Sequence, residues 1–283
     1  MIFKRVACLG LLLAWSSFAG RVALAEDVPS RGQTWETLSV TVGGMLSNTD
    51  SSVRVGSGVG VNVDLERTLG LETKTSVFRA ESGWRFTENR RHRVDASWFA
   101  LHRTGTRELG LKFDVTNPDG SITTLSTGTN VTSHLDLDIY EIAYSYSFIQ
   151  DDRADMAVVG GLYVMPVDFG YSASGISVAE GSLKFSAPLP VIGYRLDFAI
   201  VPKWFVRSGS QLFYVDYNGF TGSLMNFRGA VEYQPLKHVG FGVGFDTLRV
   251  NFEGNGSGLP GSDIDGKIEF ENRGLQFYAK YIF

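Results

Sequence analysis

Apolar and polar residues alternate along most of this chain from about residue 35 onward. In "DIYEIAYSYSF" (138–148), Tyr140, Ile142 and Tyr144 fall on one face, while Glu141 and Ala143 fall on the other. The stretches "SVFRAESGWRFT" and "PVIGYRLDFAI" repeat the pattern. Because side chains of a β-strand point alternately to its two faces, this period of two predicts strands that each have one apolar face.

The pattern divides into ten predicted strands, with twelve or eight as alternatives. Twelve strands are possible if "SSVRVGSGVGVNVD" forms its own strand or hairpin, and eight strands would require that predicted hairpins merge. Segments of roughly 10–15 residues can cross a membrane at a tilt, whereas strands of globular proteins centre near five or six residues. We place the ten strands near 35–46 (continuing through 51–57), 73–87, 92–104, 136–148, 155–168, 188–200, 203–215, 223–235, 238–252 and 266–283.

Short and long connections alternate between these strands. Polar turns near 88–91, 150–153, 201–203 and 235–237 alternate with longer stretches near 105–134, 168–186, 216–222 and 253–265. A β-sandwich also has alternating strands, but nothing in its architecture sorts its loops by length. Tight turns at one membrane face and long loops at the other are typical of outer-membrane barrels. The sequence therefore predicts an all-β fold, a transmembrane antiparallel up-and-down β-barrel of about ten strands.

One strand departs from the simple alternation. Val239 to Phe245 follows a single parity, but after Asp246 the apolar residues Leu248, Val250 and Phe252 occupy the other one. A β-bulge, which inserts one extra residue in a strand, would shift the parity in this way. We therefore predict a bulge near Asp246.

The first 25 residues have the pattern of a cleaved secretory signal peptide. Basic residues Lys4 and Arg5 precede an apolar run of about ten residues, and Ala23-Leu24-Ala25 precedes Glu26. We expect a signal peptide at 1–25, cleavage after Ala25, and a barrel domain at 26–283. Cys8 is the single cysteine of the chain, so the mature protein would form no disulfide of its own.

Composition and charge restrict the function classes. The full chain has a net charge of −4, and the mature chain, with 23 basic and 30 acidic residues, has about −7. A nucleic-acid partner would require a basic face, so nucleic acid is not an expected partner. A mean hydropathy near zero with 13% aromatic residues and 33 glycines suits a barrel whose lipid-facing and lumen-facing residues average out.

Charged residues occupy the faces predicted to point into the lumen. Cations and anions are interspersed along neighbouring strands, which allows cross-strand pairs. They form either a structural network that partly fills a narrow barrel or a polar path for small solutes, since a ten-strand interior is wider than one that side chains simply fill. This lumen charge network comprises Arg79, Glu81, Arg85, Arg93, Asp95, Arg103, Glu141, Arg195, Asp197, Arg207, Arg228, Glu232, Asp246 and Lys280.

Apolar residues give an alternative ligand class. Val59 and Val61, together with Val159, Tyr163 and Met165 on a strand that is apolar on both faces, could line a route for a small hydrophobic molecule. Packing against a loop or the lumen wall explains the same residues. The alternatives are therefore a carrier of hydrophobic molecules and ordinary packing.

The histidines provide the strongest candidate for enzymatic chemistry. A lipid A or phospholipid hydrolase of the barrel type would need a His paired with a hydroxyl nucleophile and an acid, and only His102 with Thr104 and Glu108 approaches that arrangement. A histidine near a strand end is more often an interfacial residue. We therefore expect a non-enzymatic protein with no catalytic residues, no metal site and no cofactor, and keep a lipid-modifying enzyme as the alternative.

The last strand, "GLQFYAKYIF", carries the most specific resemblance. With the signal peptide and the alternating strands, it resembles bacterial outer-membrane β-barrel proteins of the OmpA/OmpW-like group over residues 35–283. The resemblance implies insertion by the barrel assembly machinery and contact with outer-membrane lipids and lipopolysaccharide, but no substrate. The assembly signal that it implies comprises Asn272, Gly274, Phe277, Ala279, Tyr281 and Phe283.

Overall fold

The structure is a computed structural model that describes residues 35–55, 62–108, 110, 113–116, 122–173, 180–255 and 265–283. The predicted signal peptide at 1–25 and its cleavage point lie outside these residues. In the described part, no helix has the length and apolar character needed to cross a membrane.

Long antiparallel strands make up nearly all of the described chain. Each long strand pairs with the long strand before it, and four short elements lie in the connections of the described chain. The elements are β1 (Leu38–Val55), β2 (Asn62–Asp64), α1 (Leu65–Leu69), β3 (Lys74–Arg85), β4 (His92–Glu108), β5 (Phe113–Thr116), β6 (Ile122–Leu125), β7 (Asn130–Gln150), β8 (Ala154–Ala173), β9 (Glu180–Val201), β10 (Trp204–Tyr217), β11 (Phe220–Leu236), β12 (Val239–Asn255) and β13 (Asp265–Ile282).

The first and last long strands close the sheet into a barrel. β13 pairs with β1 from Ser39 opposite Ile282 to Val55 opposite Gly266. The ten long strands, in the order β1-β3-β4-β7-β8-β9-β10-β11-β12-β13, thus leave no open edge. Since a lipid-exposed strand edge would leave backbone groups unpaired, closure is what a membrane requires of a sheet. The predicted barrel of ten strands is confirmed.

The outer surface of the barrel is apolar and exposed. Leu46, Ile142 and Ile192 leave 64%, 57% and 74% of their surface uncovered. A soluble protein would bury such side chains, whereas a membrane barrel turns them to the acyl chains. Aromatic residues such as Trp204 and Tyr281 are also exposed near the strand ends, as in the aromatic girdles of these proteins.

The two ends of the barrel differ in their connections. We call the end where β1 begins and β13 ends the terminal end, and the opposite end the loop end. At the terminal end, residues 86–91, 151–153, 202–203 and 237–238 connect the strands. Most connections at the loop end are longer: 56–73 contains β2 and α1, and 109–129 contains the β5–β6 hairpin. This sorting agrees with the alternation seen in the sequence.

Several predicted loops are shorter than expected because strand pairing continues beyond the apolar belt. β8 and β9 pair as far as Ser172 and Glu180, inside the predicted loop 168–186. The predicted long connection 216–222 is wrong: Asn218 and Gly219 form a two-residue turn, and their φ angles of 48° and 77° are those that tight hairpins require. Similarly, among the described residues β2 pairs only with residues 52–54 of β1, so it is not an additional barrel strand.

The predicted bulge near Asp246 is wrong. β12 pairs with β13 without a shift, with Asp246 opposite Gly274 and Leu248 opposite Asn272. Leu248, Val250 and Phe252 are therefore on the same face as Asp246, and each is at most 4% exposed. The alternation of the sequence changes there because the lumen itself becomes apolar.

Candidate functional site

The inward-facing side chains change in character along the barrel axis. On β3, Arg85, Glu81 and Arg79 lie toward the terminal end and Val77 follows them toward the loop end. On β7, Glu141 is followed in the same direction by Ile139, and on β12 Asp246 is followed by Leu248. The lumen therefore consists of a charged layer at the terminal side and an apolar layer at the loop side.

The part of the charged layer nearest the terminal end is a set of buried ion pairs. Arg85 Nη2 lies 2.7 Å from Asp155 Oδ2, and Arg195 Nη1 lies 3.3 Å from the same oxygen. On the adjacent strands β10 and β11, Arg207 Nε lies 2.9 Å from Glu232 Oε2. Removal of one partner from such a buried pair is strongly destabilising, because the other charge remains uncompensated.

Trp35 and Glu36, which precede β1, reach across the terminal mouth of the lumen. Trp35 Nε1 donates to the Asp151 carbonyl in the β7–β8 turn (2.6 Å) and packs edge-on against Phe205 of β10. Lys280 Nζ donates to Glu36 Oε1 (2.5 Å), and Arg207 lies 3.2 Å from that oxygen. This short segment therefore links the first strand to strands elsewhere around the barrel.

The Glu36 carboxyl is ionised by these neighbours. Its burial raises the pKa, but the positive charges of Arg207, Lys280 and Arg93 outweigh that effect and hold the pKa of Glu36 well below its usual range. The carboxylate thus supplies negative charge to a layer that is otherwise rich in arginine.

The middle of the lumen holds a second group of pairs. Arg79 Nη1 donates to Asp246 Oδ2 (2.6 Å), and Arg228 Nη1 donates to Glu81 Oε1 (2.6 Å). Gln211 Nε2 donates to Glu141 Oε1 (2.6 Å), while Tyr163 donates to Gln211. A cavity of about 160 Å³ is lined by Glu81, Glu141, Gln211 and Arg228 of this group together with residues of the first group, and it has room for several water molecules.

The structure places all the predicted lumen charges on the inner face, but it separates one from the rest. Arg103 lies beyond the apolar layer, where it donates to Glu66 Oε1 of α1 (2.6 Å) and to Ser51 Oγ (2.8 Å). Glu66 also accepts from the Ser51 backbone N–H (2.9 Å). Arg103 therefore fixes the β1–β3 connection over the loop end. The two charged groups described above contain Arg79, Glu81, Arg85, Arg93, Asp95, Glu141, Arg195, Asp197, Arg207, Arg228, Glu232, Asp246 and Lys280.

The apolar layer forms a ring to which all ten barrel strands contribute. Its buried members are at most 7% exposed, and β10 adds the partly buried Phe213 and Val215. We call it the apolar ring. Its buried members are Met45, Val77, Phe99, Leu101, Leu137, Ile139, Tyr163, Met165, Leu189, Val191, Phe220, Leu224, Leu248, Val250, Phe252 and Phe270.

Three acids that face the lumen or its loop end were not predicted from the sequence. Glu36 lies at the start of the first predicted strand, near 35–46, but precedes β1 of the structure, which begins at Leu38. Glu66 lies in a predicted loop. Asp155, which is fully buried, begins a strand that is apolar on both faces. Arg85 and Arg195, the basic partners of Asp155, were predicted to face the lumen. The excess of such cations over the predicted acids near them was the one signal that a further acid faces the lumen.

The residues considered for other chemistry lie elsewhere. His102 points outward, with its Nε2 3.7 Å from Asp138 Oδ2. Tyr163 and Met165 are members of the apolar ring, whereas Val59 and Val61 lie outside the described residues. Within the described ranges, no group of three or more His, Cys, Asp or Glu side chains is arranged to hold a metal ion.

The residues of the proposed assembly signal divide between the two faces of β13. Asn272 is fully buried and donates to Thr49 Oγ1 of β1 (2.8 Å), and Gly274 lies opposite Ser47. Phe277, Tyr281 and Phe283 are exposed on the outer face, and Ala279 shares their parity. The inner members thus contact the closing strand, and the outer ones face the membrane.

A closed antiparallel barrel with an apolar exterior and buried charges inside defines the class of protein: a transmembrane outer-membrane-type β-barrel. The fold is similar to that of the outer membrane protease OmpT from Escherichia coli, with a TM-score of 0.56 and 12% identity over 92% of this chain and 99% of that one. The translocator domain of the autotransporter NalP from Neisseria meningitidis aligns over 89% of this chain and 90% of its own, with a TM-score of 0.45 and 11% identity. No protein-family model matches the sequence, and no curated protein matches it.

Proposed function

We propose that this protein is an integral, non-enzymatic barrel of the bacterial outer membrane whose lumen is closed, so that it serves the envelope as a structural element. The apolar ring is the observation that carries the proposal. It spans the whole circumference of the lumen and its side chains are packed against one another.

An ion or a polar solute would have to cross this ring without polar partners. The charged layer on its terminal side offers hydrogen bonds, but the ring offers almost none, and transfer of a charge into an apolar layer is very unfavourable. The charged layer is itself cross-linked by ion pairs such as Arg79–Asp246 and Arg207–Glu232. A narrow passage for small solutes would require both layers to move aside.

We expect the purified protein to show no steady conductance in planar lipid bilayers. In a variant with Phe220→Ala and Phe252→Ala, two stacked members of the ring (centroid separation 6.0 Å) are truncated, and we expect transient ion-conducting openings. Phe241→Ala with Phe245→Ala removes two exposed rings from the outer face of the barrel and should remain silent.

Steady conductance of the unaltered protein would contradict the proposal and favour the passage for small solutes. If the Phe220/Phe252 variant were as silent as the outer-face control, the apolar ring would not be the seal.

We also expect expression of the protein to leave the acyl chains of lipid A and phospholipids unchanged. The one histidine context close to a hydrolase arrangement is on the outer face, where His102 Nε2 lies 3.7 Å from Asp138 Oδ2. Mass spectrometry of lipids from cells that express the protein, or its His102→Ala variant, would measure this. An acyl change that the unaltered protein causes and the variant abolishes would assign the chain to lipid-modifying enzymes.

A further inference from the structure

Glu36 is held by cations from three separate strands, although it belongs to none of them. It precedes β1, which begins at Leu38. Lys280 of β13 donates to Glu36 Oε1 (2.5 Å), while Arg207 of β10 places Nη1 3.2 Å from that oxygen and donates from Nη2 to Oε2 (3.3 Å). Arg93 of β4 lies 4.0 Å from Oε1. A guanidinium that contacts both oxygens, with an ammonium beside it, is a strong arrangement for binding a carboxylate.

Two of these cations are also paired within the wall of the barrel. Arg93 Nε donates to Asp95 Oδ1 on its own strand (2.7 Å), and Arg207 Nε lies 2.9 Å from Glu232 Oε2 on the neighbouring strand. These pairs hold the two guanidinium groups in position independently of Glu36. The site is therefore formed by the barrel wall, and the chain that precedes β1 supplies its occupant.

Lys280 depends most on that occupant. In the part of the chain that the structure describes, its other carboxylate partner is Glu232, whose Oε1 lies 3.4 Å away and already accepts from Gln234 (2.6 Å) and Arg207 (3.0 Å). Glu36, at 2.5 Å, is the closer partner. Because the Lys280 side chain is only 5% exposed, loss of Glu36 would leave a poorly compensated buried cation, and such a cation favours binding of another carboxylate.

The residue before Glu36 is bound as specifically. Trp35 is 4% exposed, and its ring lies edge-on to that of Phe205 at a centroid distance of 6.3 Å. Its Nε1 donates to the Asp151 carbonyl (2.6 Å), and its own carbonyl accepts from Arg90 Nη1 (2.7 Å). The terminal mouth thus contacts an indole ring, a backbone carbonyl and a carboxylate in succession.

We propose that the terminal mouth of the lumen is a binding site for a peptide in which an aromatic residue is followed by an acidic one, and that Trp35 and Glu36 occupy it as an intramolecular ligand. The groups that surround the two side chains identify this class of ligand, because they satisfy the indole N–H and both carboxylate oxygens. The cations outweigh the burial of the site, which by itself would raise the pKa of Glu36, and they hold that pKa well below its usual range.

A partner chain would reach this site from the side of the short turns, which is the periplasmic side in outer-membrane barrels. The inference goes beyond the structural role proposed above and does not depend on the apolar ring. Peptide binding is measured without a pore and conductance without a peptide, so either proposal can fail while the other stands.

The test uses the full barrel in neutral detergent, with the site emptied by Trp35→Ala and Glu36→Ala. This emptied variant is titrated calorimetrically with the dipeptide N-acetyl-Trp-Glu-amide and with N-acetyl-Trp-Gln-amide, in which a neutral amide replaces the carboxylate. We expect the acidic peptide to bind about tenfold or more tightly than the neutral one. Lys280→Gln in the emptied variant should abolish most of that preference, because it removes the ammonium group from the site.

The unaltered protein should bind the acidic peptide at least about tenfold more weakly than the emptied variant does, because a tethered segment competes at a local concentration on the order of millimolar. The matched control is Trp204→Ala with Glu88→Ala, which removes one tryptophan and one glutamate from exposed positions at the terminal end. Its own Trp35 and Glu36 remain in the site, so it should bind the peptide as weakly as the unaltered protein.

Two results would overturn the proposal: equal affinity of the emptied variant for the acidic and neutral peptides, and equally tight binding of the acidic peptide by the control and emptied variants. Heat-modifiable migration on gels shows whether each variant is folded before it is titrated. If the emptied variant does not fold alone, it is refolded with each peptide and the folded fraction is measured. A fraction that rises with the acidic peptide only supports the site, and equal fractions contradict it.

Discussion

Gly274→Ala is expected to destabilise the closed barrel and lower its urea unfolding midpoint. A Cβ at this position in β13 would lie 2.2 Å from the Leu46 carbonyl oxygen and 2.7 Å from the Ser47 Cα of β1. Both contacts are to backbone atoms of the paired strand, so they cannot be relieved by a change of rotamer. Overpacking of this kind costs about 1–3 kcal/mol, and we expect the upper end of that range. The urea midpoint of the refolded protein in lipid vesicles, with its heat-modifiable fraction, measures the effect.

Gly160→Ala on β8 is the matched control for this substitution. A Cβ there meets no atom within 4 Å, so the unfolding midpoint should stay close to that of the unaltered protein. Equal midpoints for the two variants would contradict the steric argument.

The same pair of variants separates packing from recognition by the assembly machinery. Refolding into vesicles requires no machinery, so a Gly274→Ala defect in vesicles is one of strand closure. A defect that occurs in cells but not in vesicles would instead support a role of Gly274 in the assembly signal.

Asp155→Asn is expected to cost about 3 kcal/mol of unfolding free energy, the magnitude typical of a buried ion pair that loses one partner. Asp155 is fully buried and faces both Arg85 and Arg195. The neutral amide keeps the volume but leaves the buried Arg85 with its remaining carboxylate, that of Asp197, 4.0 Å away. Urea unfolding in detergent micelles gives the free energy.

Glu88→Gln, in the exposed β3–β4 turn at the same end of the barrel, changes one carboxylate to an amide and should be nearly neutral. The double variant Arg85→Met with Asp155→Leu should recover most of the stability, because an apolar pair of similar volume replaces a buried ion pair at little cost. A double variant as unstable as Asp155→Asn would show that lost packing, not the unpaired arginine, is responsible.

The barrel could be predicted from the sequence because its lipid-facing residues are consistently apolar. Tyr140 to Phe148 on β7 and Phe277 to Phe283 on β13 fix the strand parity without ambiguity, and the strand number follows from the turns between such segments. The inward placement of charges such as Arg79 and Glu141 follows from the same parity.

The prediction failed where an apolar residue does not face lipid. Leu248, Val250 and Phe252 suggested a bulge only because every apolar residue was assigned to the outer face, whereas these three are part of the apolar ring. The two-sided apolar strand β8 concealed Asp155 for the same reason. Glu36 and Glu66 lie outside the long strands, in segments that fold toward the lumen. Period-two alternation within strands carries no information on how such segments fold, so these two positions could not be predicted from it.

The apolar ring also has a consequence for how the barrel folds. Because β1 and β13 both contribute to it through Met45 and Phe270, the ring is incomplete until the first and last strands pair. Before closure its side chains would be in contact with lumen water, so the hydrophobic effect that buries them acts only when the barrel closes. We therefore expect strand closure and burial of the ring to be a single cooperative event, in which the interior of the barrel favours the final hydrogen-bonded seam.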